Sequence, residues 1–139
     1  MAEDNVLLSW SGFQNNQFST FAALAKERDF SDVTLVGDDH QPIPGHQVIL
    51  ASGSPYLKTL LLRHHHSNPL VLLPGLGQGV LQHLVDFLYL GQTTVPQHML
   101  NRLLQAAETF QIKGLQGDYG TESKQFKQMD KALQFWAPR

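Results

Sequence analysis

The sequence predicts an α+β fold, a small β-sheet flanked by a cluster of short α-helices. Three observations carry this expectation. Between Asp29 and Leu57 the apolar period changes from that of a strand to that of a helix. Glycine and proline punctuate the chain often enough to keep every element short. The segments run strand, helix, hairpin, two helices, strand, helix, strand, helices, and no internal repeat interrupts that order.

Residues Val6 to Trp10 place Val6, Leu8 and Trp10 on one face, as a short strand does, and Gly12 breaks the run. From Gln14 to about Arg28, Phe18, Phe21, Ala22 and Ala25 share a helical face, with Leu24 at its edge. Val33 and Leu35 alternate, Gly37, Asp38 and Asp39 supply a turn, and the residues around Ile43 alternate again: a hairpin. Pro42 and Pro44 cannot donate ladder hydrogen bonds, so the second strand is expected to be short or at an edge.

Helical spacing starts at His46 with Val48, Ile49 and Leu50. Ser54-Pro55, a cap followed by a first-turn proline, restarts a helix through Leu57, Leu60, Leu61 and Leu62. Arg63 to Asn68 is a polar loop, and Pro69 to Pro74 reads as a short buried strand. After a loop from Gly75 to Gly79, Val80, Leu81, Leu84, Val85, Phe87 and Leu88 form an apolar helix that Gly91 ends. Thr93 to Val95 is β-branched and predicts a brief strand. Pro96 restarts a helix bearing Leu100, Leu103, Leu104, Ala107 and Phe110, expected to stop at Gly114. Gly117 to Gly120 reads as a hinge before an amphipathic helix from Thr121 to Trp136 with Phe126, Met129 and Leu133. The expected organisation is one domain over residues 1–116 and a helical extension over 117–139.

The 139 residues are 42% hydrophobic and 16% charged, with a formal net charge of −2. That balance speaks against a domain that grips nucleic acid by itself, since phosphate binding needs a concentrated basic face. No cysteine is present, which removes disulfides, thiolate metal sites and thiol nucleophiles together. Met1 to Asp4 is acidic and no apolar run approaches the length of a membrane span, so a soluble intracellular domain without a signal peptide is expected.

His64, His65 and His66 invite a metal reading, but adjacent histidines do not converge as fixed zinc ligands do, and a solvated loop is the better reading. His46 with Asp32 resembles half of a catalytic dyad; without a Gly-x-Ser-x-Gly nucleophile motif, a buried, hydrogen-bonded histidine is preferred. Gly75 to Gly79 lacks the Gly-Lys-Ser/Thr ending of a phosphate loop. No enzyme and no cofactor are expected.

The residues Asp32-Val33-Thr34-Leu35, Gly45-His46 and Val48 to Leu57, followed by Phe87-Leu88-Tyr89-Leu90-Gly91 and Leu103 to Leu115, together resemble the BTB/POZ interaction domain. The opening Leu8-Ser9-Trp10-Ser11-Gly12-Phe13-Gln14 resembles that of the arthropod Tramtrack group, and the likeness extends over residues 6 to 115. It implies an intertwined homodimer in which the first helices pack on each other and the N-terminal strand pairs with a late strand of the other copy. By position, the interface would use Val6, Leu8, Trp10, Phe18, Phe21, Ala22, Ala25, Thr93 and Val95; Asp32, His46, Gln47 and Tyr89 would form the family's signature pocket.

The resemblance further implies the dimerising part of a nuclear transcription or chromatin regulator. Its DNA-contacting region, often zinc fingers, would lie outside this chain, and its partners would be itself and possibly other BTB chains or corepressors. The alternative is a substrate adaptor for a cullin-type ubiquitin ligase. Three departures bear on this. Ser9, Ser11 and Gly12 replace the usual Arg and two Asn of the opening, so assembly through that strand is expected to stop at the dimer. Gln47 stands where an Arg or Lys is common, which removes the basic neighbour of Asp32 and weakens a corepressor-pocket role. Pro44 occupies the approach to His46.

Overall fold

The computed structural model describes residues 4–77 and 79–115. The hinge and helix expected between 117 and 136 lie outside the described residues. In chain order the elements are α1 (Phe13–Glu27), β1 (Val33–Val36), β2 (Pro42–Gly45), α2 (Gln47–Gly53), α3 (Pro55–Arg63), β3 (Leu70–Leu72), α4 (Val80–Leu90) and α5 (Leu100–Thr109), the last preceded by a 3₁₀ turn at Gln97–Met99. The architecture is the α+β arrangement expected from the sequence.

The sheet has the order β2-β1-β3. β1 and β2 pair antiparallel in the register Val33↔Gly45, Thr34↔Pro44, Leu35↔Ile43 and Val36↔Pro42. Since Pro42 and Pro44 have no N–H, the ladder bonds must fall on Ile43 and Gly45, and the proline nitrogens face outward. β2 is accordingly an edge, as its prolines require. β3 joins parallel on the other side, with Thr34↔Leu70 and Val36↔Leu72. Gly37 lets the end of β1 approach the loop after β3: a Cβ there would collide with the Leu76 carbonyl oxygen, which accepts the Asp38 N–H at 2.8 Å.

The inward face of the sheet, Val33, Leu35 and Val71, packs on Ile49 and Leu50 of α2, Leu57 and Leu61 of α3, and the apolar side of α4. Ser54 joins two of these layers. Its buried hydroxyl accepts the Leu57 N–H at 3.1 Å as the cap of α3 and donates to the Phe110 carbonyl at 2.6 Å. Pro55 occupies the first turn, where its missing N–H costs nothing. Ser54→Ala loses the cap and orphans a buried carbonyl, and is expected to cost about 2–3 kcal/mol. Urea unfolding should show a lower midpoint with an unchanged slope.

Four expectations require correction. Residues 4–10 form no strand within the described structure, and neither do Thr93 to Val95. A strand's alternating N–H and C=O groups need a second backbone beside them, and neither segment has one among the described residues. β3 is not buried on both faces: Val71 is in the core, but Leu70 and Leu72 are exposed. Finally, α5 ends at Thr109, well before Gly114. Gln111 adopts φ 55° and Ile112 N–H bonds back to the Ala107 carbonyl at 2.8 Å, so the chain has turned before the glycine, itself at φ 89°, is reached.

Candidate interaction surface

α1 mixes apolar residues with polar amides, hydroxyls and a charged last turn, and not one of its fifteen is fully buried. It packs on α4 through Phe21 and Leu24, which sit partly buried against the core. Ala22 is half-buried, whereas Phe18 and Ala25 face solvent. The stripe expected on one face is therefore divided between the chain's own core and its surface.

The segment leading into α1 is more exposed still. Val6, Leu7 and Leu8 are 80–89% exposed, and Trp10, Phe13 and Phe18 about half. Trp10 is held by an edge-to-face contact with Phe13, ring centroids 5.7 Å apart, and its carbonyl accepts the Phe13 N–H at 3.2 Å. Leu7 and Phe13 were not in the expected set; their signal was present in the sequence, as apolar residues off the counted face. Clustered exposed apolar side chains of this size mark association surfaces, in contrast to scattered single ones.

Thr93 is half-buried and its hydroxyl meets His83 Nδ1 at 3.0 Å, whereas the Val95 side chain belongs to the chain's own core. Of the two, only the backbone of this segment and the Thr93 side chain remain for contact.

The signature residues form a separate, internal cluster. His46, 6% exposed, is the single residue between β2 and α2. Its backbone N–H donates to the Tyr89 hydroxyl at 2.8 Å, its Nδ1 meets the same hydroxyl at 2.6 Å, and its Nε2 meets the Asp29 carbonyl at 2.5 Å. The carbonyl accepts only, so Nε2 carries the proton, Nδ1 accepts, and the Tyr89 O–H donates to it. Every polar group of the trio is satisfied, and hairpin, α4 and the start of the α1–β1 loop are tied together. That loop passes through Arg28 at φ 63° and Phe30 at φ 65°, and leaves the Phe30 ring almost wholly exposed.

Asp32 does not touch the His46 ring. Its Oδ1 accepts the Gln47 N–H at 2.7 Å at the start of α2, while the Gln47 amide donates to the Asp32 carbonyl at 2.9 Å and the His66 carbonyl at 3.3 Å. Gln47 thus bridges the residue before β1 to the histidine loop. With both His46 nitrogens engaged and no nucleophile beside them, this cluster is a clamp and offers no free base.

Burial pushes the Tyr89 hydroxyl up to about 12, aided by the Asp32 carboxylate and opposed by the His46 N–H. The folded chain holds this proton more tightly than the unfolded one, whose ordinary value is 10.0. Its stabilising contribution is complete below pH 10 and is lost as pH rises from 10 towards about 12. Thermal midpoints measured across that window should fall more steeply for the wild type than for Tyr89→Phe.

His64, His65 and His66 are exposed, and among the described residues no group of three or more His, Cys, Asp or Glu is placed to hold a metal ion. Among the same residues no helix is long and apolar enough to cross a membrane.

The model of the BTB/POZ domain matches residues 21–127. The chain belongs to the BTB/POZ family. Protein tramtrack, alpha isoform, of Drosophila melanogaster is 36% identical over 115 residues, 83% of this chain. The Longitudinals lacking protein-like of the same organism is 32% identical over 114 residues, 82% of this chain. The chain's match spans 14% of the length of the former and 89% of the latter. The BTB domain of zebrafish PATZ1 superposes with a TM-score of 0.70 at 15% identity, covering 94% of this chain and 98% of that one, which is a likeness of fold. The BTB/POZ family is a family of protein–protein interaction modules, and the buried His46–Tyr89 clamp is how this BTB chain fastens its hairpin to the α4 helix.

Proposed function

We propose that this BTB chain is a homodimerisation module, residues 1–116, belonging to a nuclear transcription or chromatin regulator. One observation carries the reading: the exposed apolar surface running from Val6 through Trp10 and Phe13 to Phe18. Water-exposed aliphatic and aromatic side chains in this number are stabilised by covering them, and a twofold axis lets two copies cover each other with one patch. The unpaired backbone of residues 4–10 fits the same solution, because in a dimer it pairs with the segment around Thr93 to Val95 of the other copy, which also lacks a strand partner.

Kinship with the Tramtrack group supports the regulatory role, with DNA contact made by sequence outside this chain. Dimerising then gives bivalency: the second weak contact becomes intramolecular and benefits from a high effective concentration. The test is the solution mass of the full chain by light scattering or sedimentation at micromolar concentration. A mass of two chains is expected. A well-folded monomer refutes the reading, and a monomer that binds a cullin would replace it with the adaptor role.

A further inference from the structure

The two outer edges of the sheet differ in chemistry. On β2 the outward-facing nitrogens belong to Pro42 and Pro44 and carry no hydrogen, so that edge is closed to strand addition. On β3, the Pro69 carbonyl accepts the Thr34 N–H at 3.0 Å and the Leu73 N–H donates to the Val36 carbonyl at 2.8 Å. Backbone groups alternate sides along a strand, so Leu70 and Leu72 turn both their N–H and C=O away from β1. Among the described residues no strand pairs with that edge. The same two side chains are 63% and 66% exposed. None of the devices that blunt an edge, a proline, a lysine or a bulge, lies within β3.

The geometry points to the β3 edge as a self-association site, where β3 of a second copy adds antiparallel about a twofold axis through Val71. The axis sets Leu70 opposite the partner's Leu72, and Leu72 opposite the partner's Leu70. Outward groups at positions i and i+2 are what this symmetry needs: each pair exchanges both of its N–H···O bonds, and the four leucine side chains gather on one face.

Charge complementarity selects the same orientation. Arg63 precedes the Leu70 end of the strand, through a loop whose His66 carbonyl is held by Gln47 beside Asp32, whereas Asp38 and Asp39 follow β1 at the Leu72 end. Antiparallel addition brings the Arg63–His66 end of one copy to the aspartate end of the other, twice; parallel addition would set like on like. Strands this short bury less than a free-standing interface needs, so the contact acts between copies already held at high local concentration. It is remote in sequence from Ser9, Ser11 and Gly12, and does not depend on α1.

The chain has no cysteine, which makes the register directly testable. Leu70→Cys and Leu72→Cys are prepared separately in the full chain, their folding checked by circular dichroism, then oxidised mildly alone and as an equal mixture. Hydrogen-bonded antiparallel partners stand about 5.5 Å apart at Cα, within disulfide range, while each cysteine alone meets a leucine. On a denaturing non-reducing gel the mixture should yield at least about tenfold more two-chain product than either variant alone. Equal yields in all three samples, a single variant that links as well as the mixture, or no product at all would overturn the proposal. The gel reads the disulfide only, so its result is separate from the solution mass that tests the α1 dimer.

Discussion

Glutamate at both Phe18 and Phe21 is expected to abolish the dimer and the fold together. Full burial of a phenylalanine contributes about 1.5–3 kcal/mol. Phe21 already packs against the core of its own chain, so a carboxylate there buries a charge without a partner. Phe18 is half exposed within one chain; its free side is what the second copy would cover. Twofold symmetry counts each loss twice. Phe18→Glu alone separates the two effects: it leaves the core untouched and removes about 3 kcal/mol from the symmetric contact, a weakening of roughly a hundredfold. Sedimentation should then show a folded chain of single-chain mass where the wild type is dimeric. A Phe18→Glu dimer of undiminished affinity would place the interface elsewhere.

His46→Ala should be the most damaging substitution outside the apolar core, at about 3–5 kcal/mol. It opens a cavity, leaves the Asp29 carbonyl unpaired, and deprives the Tyr89 hydroxyl of its acceptor. Tyr89→Phe keeps the volume but orphans Nδ1 and the backbone N–H of His46, and is expected to cost about 2 kcal/mol. Because the two residues share bonds, the double variant should lose less than the sum of the singles, as a double-mutant cycle in denaturant would reveal. Strict additivity would mean that the clamp does not act as a unit.

Much of this was legible in the chain itself. Ser54-Pro55 marks its helix start because both a cap and a permitted proline are local requirements, and Gly91 marks a helix end because a left-handed residue is needed there: it adopts φ 77°. Pro42 and Pro44 announced an edge strand through the hydrogen they lack. His46 was readable as a buried, bonded histidine, and the resemblance set Tyr89 in the same pocket; Asp29 and the bonds themselves were not readable, since they join residues 43 and 17 apart in sequence. Whether His46 would bond to backbone or to a neighbouring carboxylate such as Asp32 was open; the structure gives it the Asp29 carbonyl and spends Asp32 on the first N–H of α2. Nothing in a one-dimensional pattern ranks those two donors.

The elements that sequence alone determined were the helices and the hairpin. A helix closes its hydrogen bonds within four residues and a tight hairpin across a short turn, so local spacing, caps and turn residues suffice to specify them. Tertiary structure decided everything that needs a distant backbone. It left Val6–Trp10 and Thr93–Val95 without a strand partner inside one chain, exposed one face of β3, ended α5 at Thr109, and split the apolar stripe of α1 between core and solvent. In each case the alternating or apolar pattern was present, but whether a backbone group or side chain finds a partner depends on what the rest of the chain brings beside it.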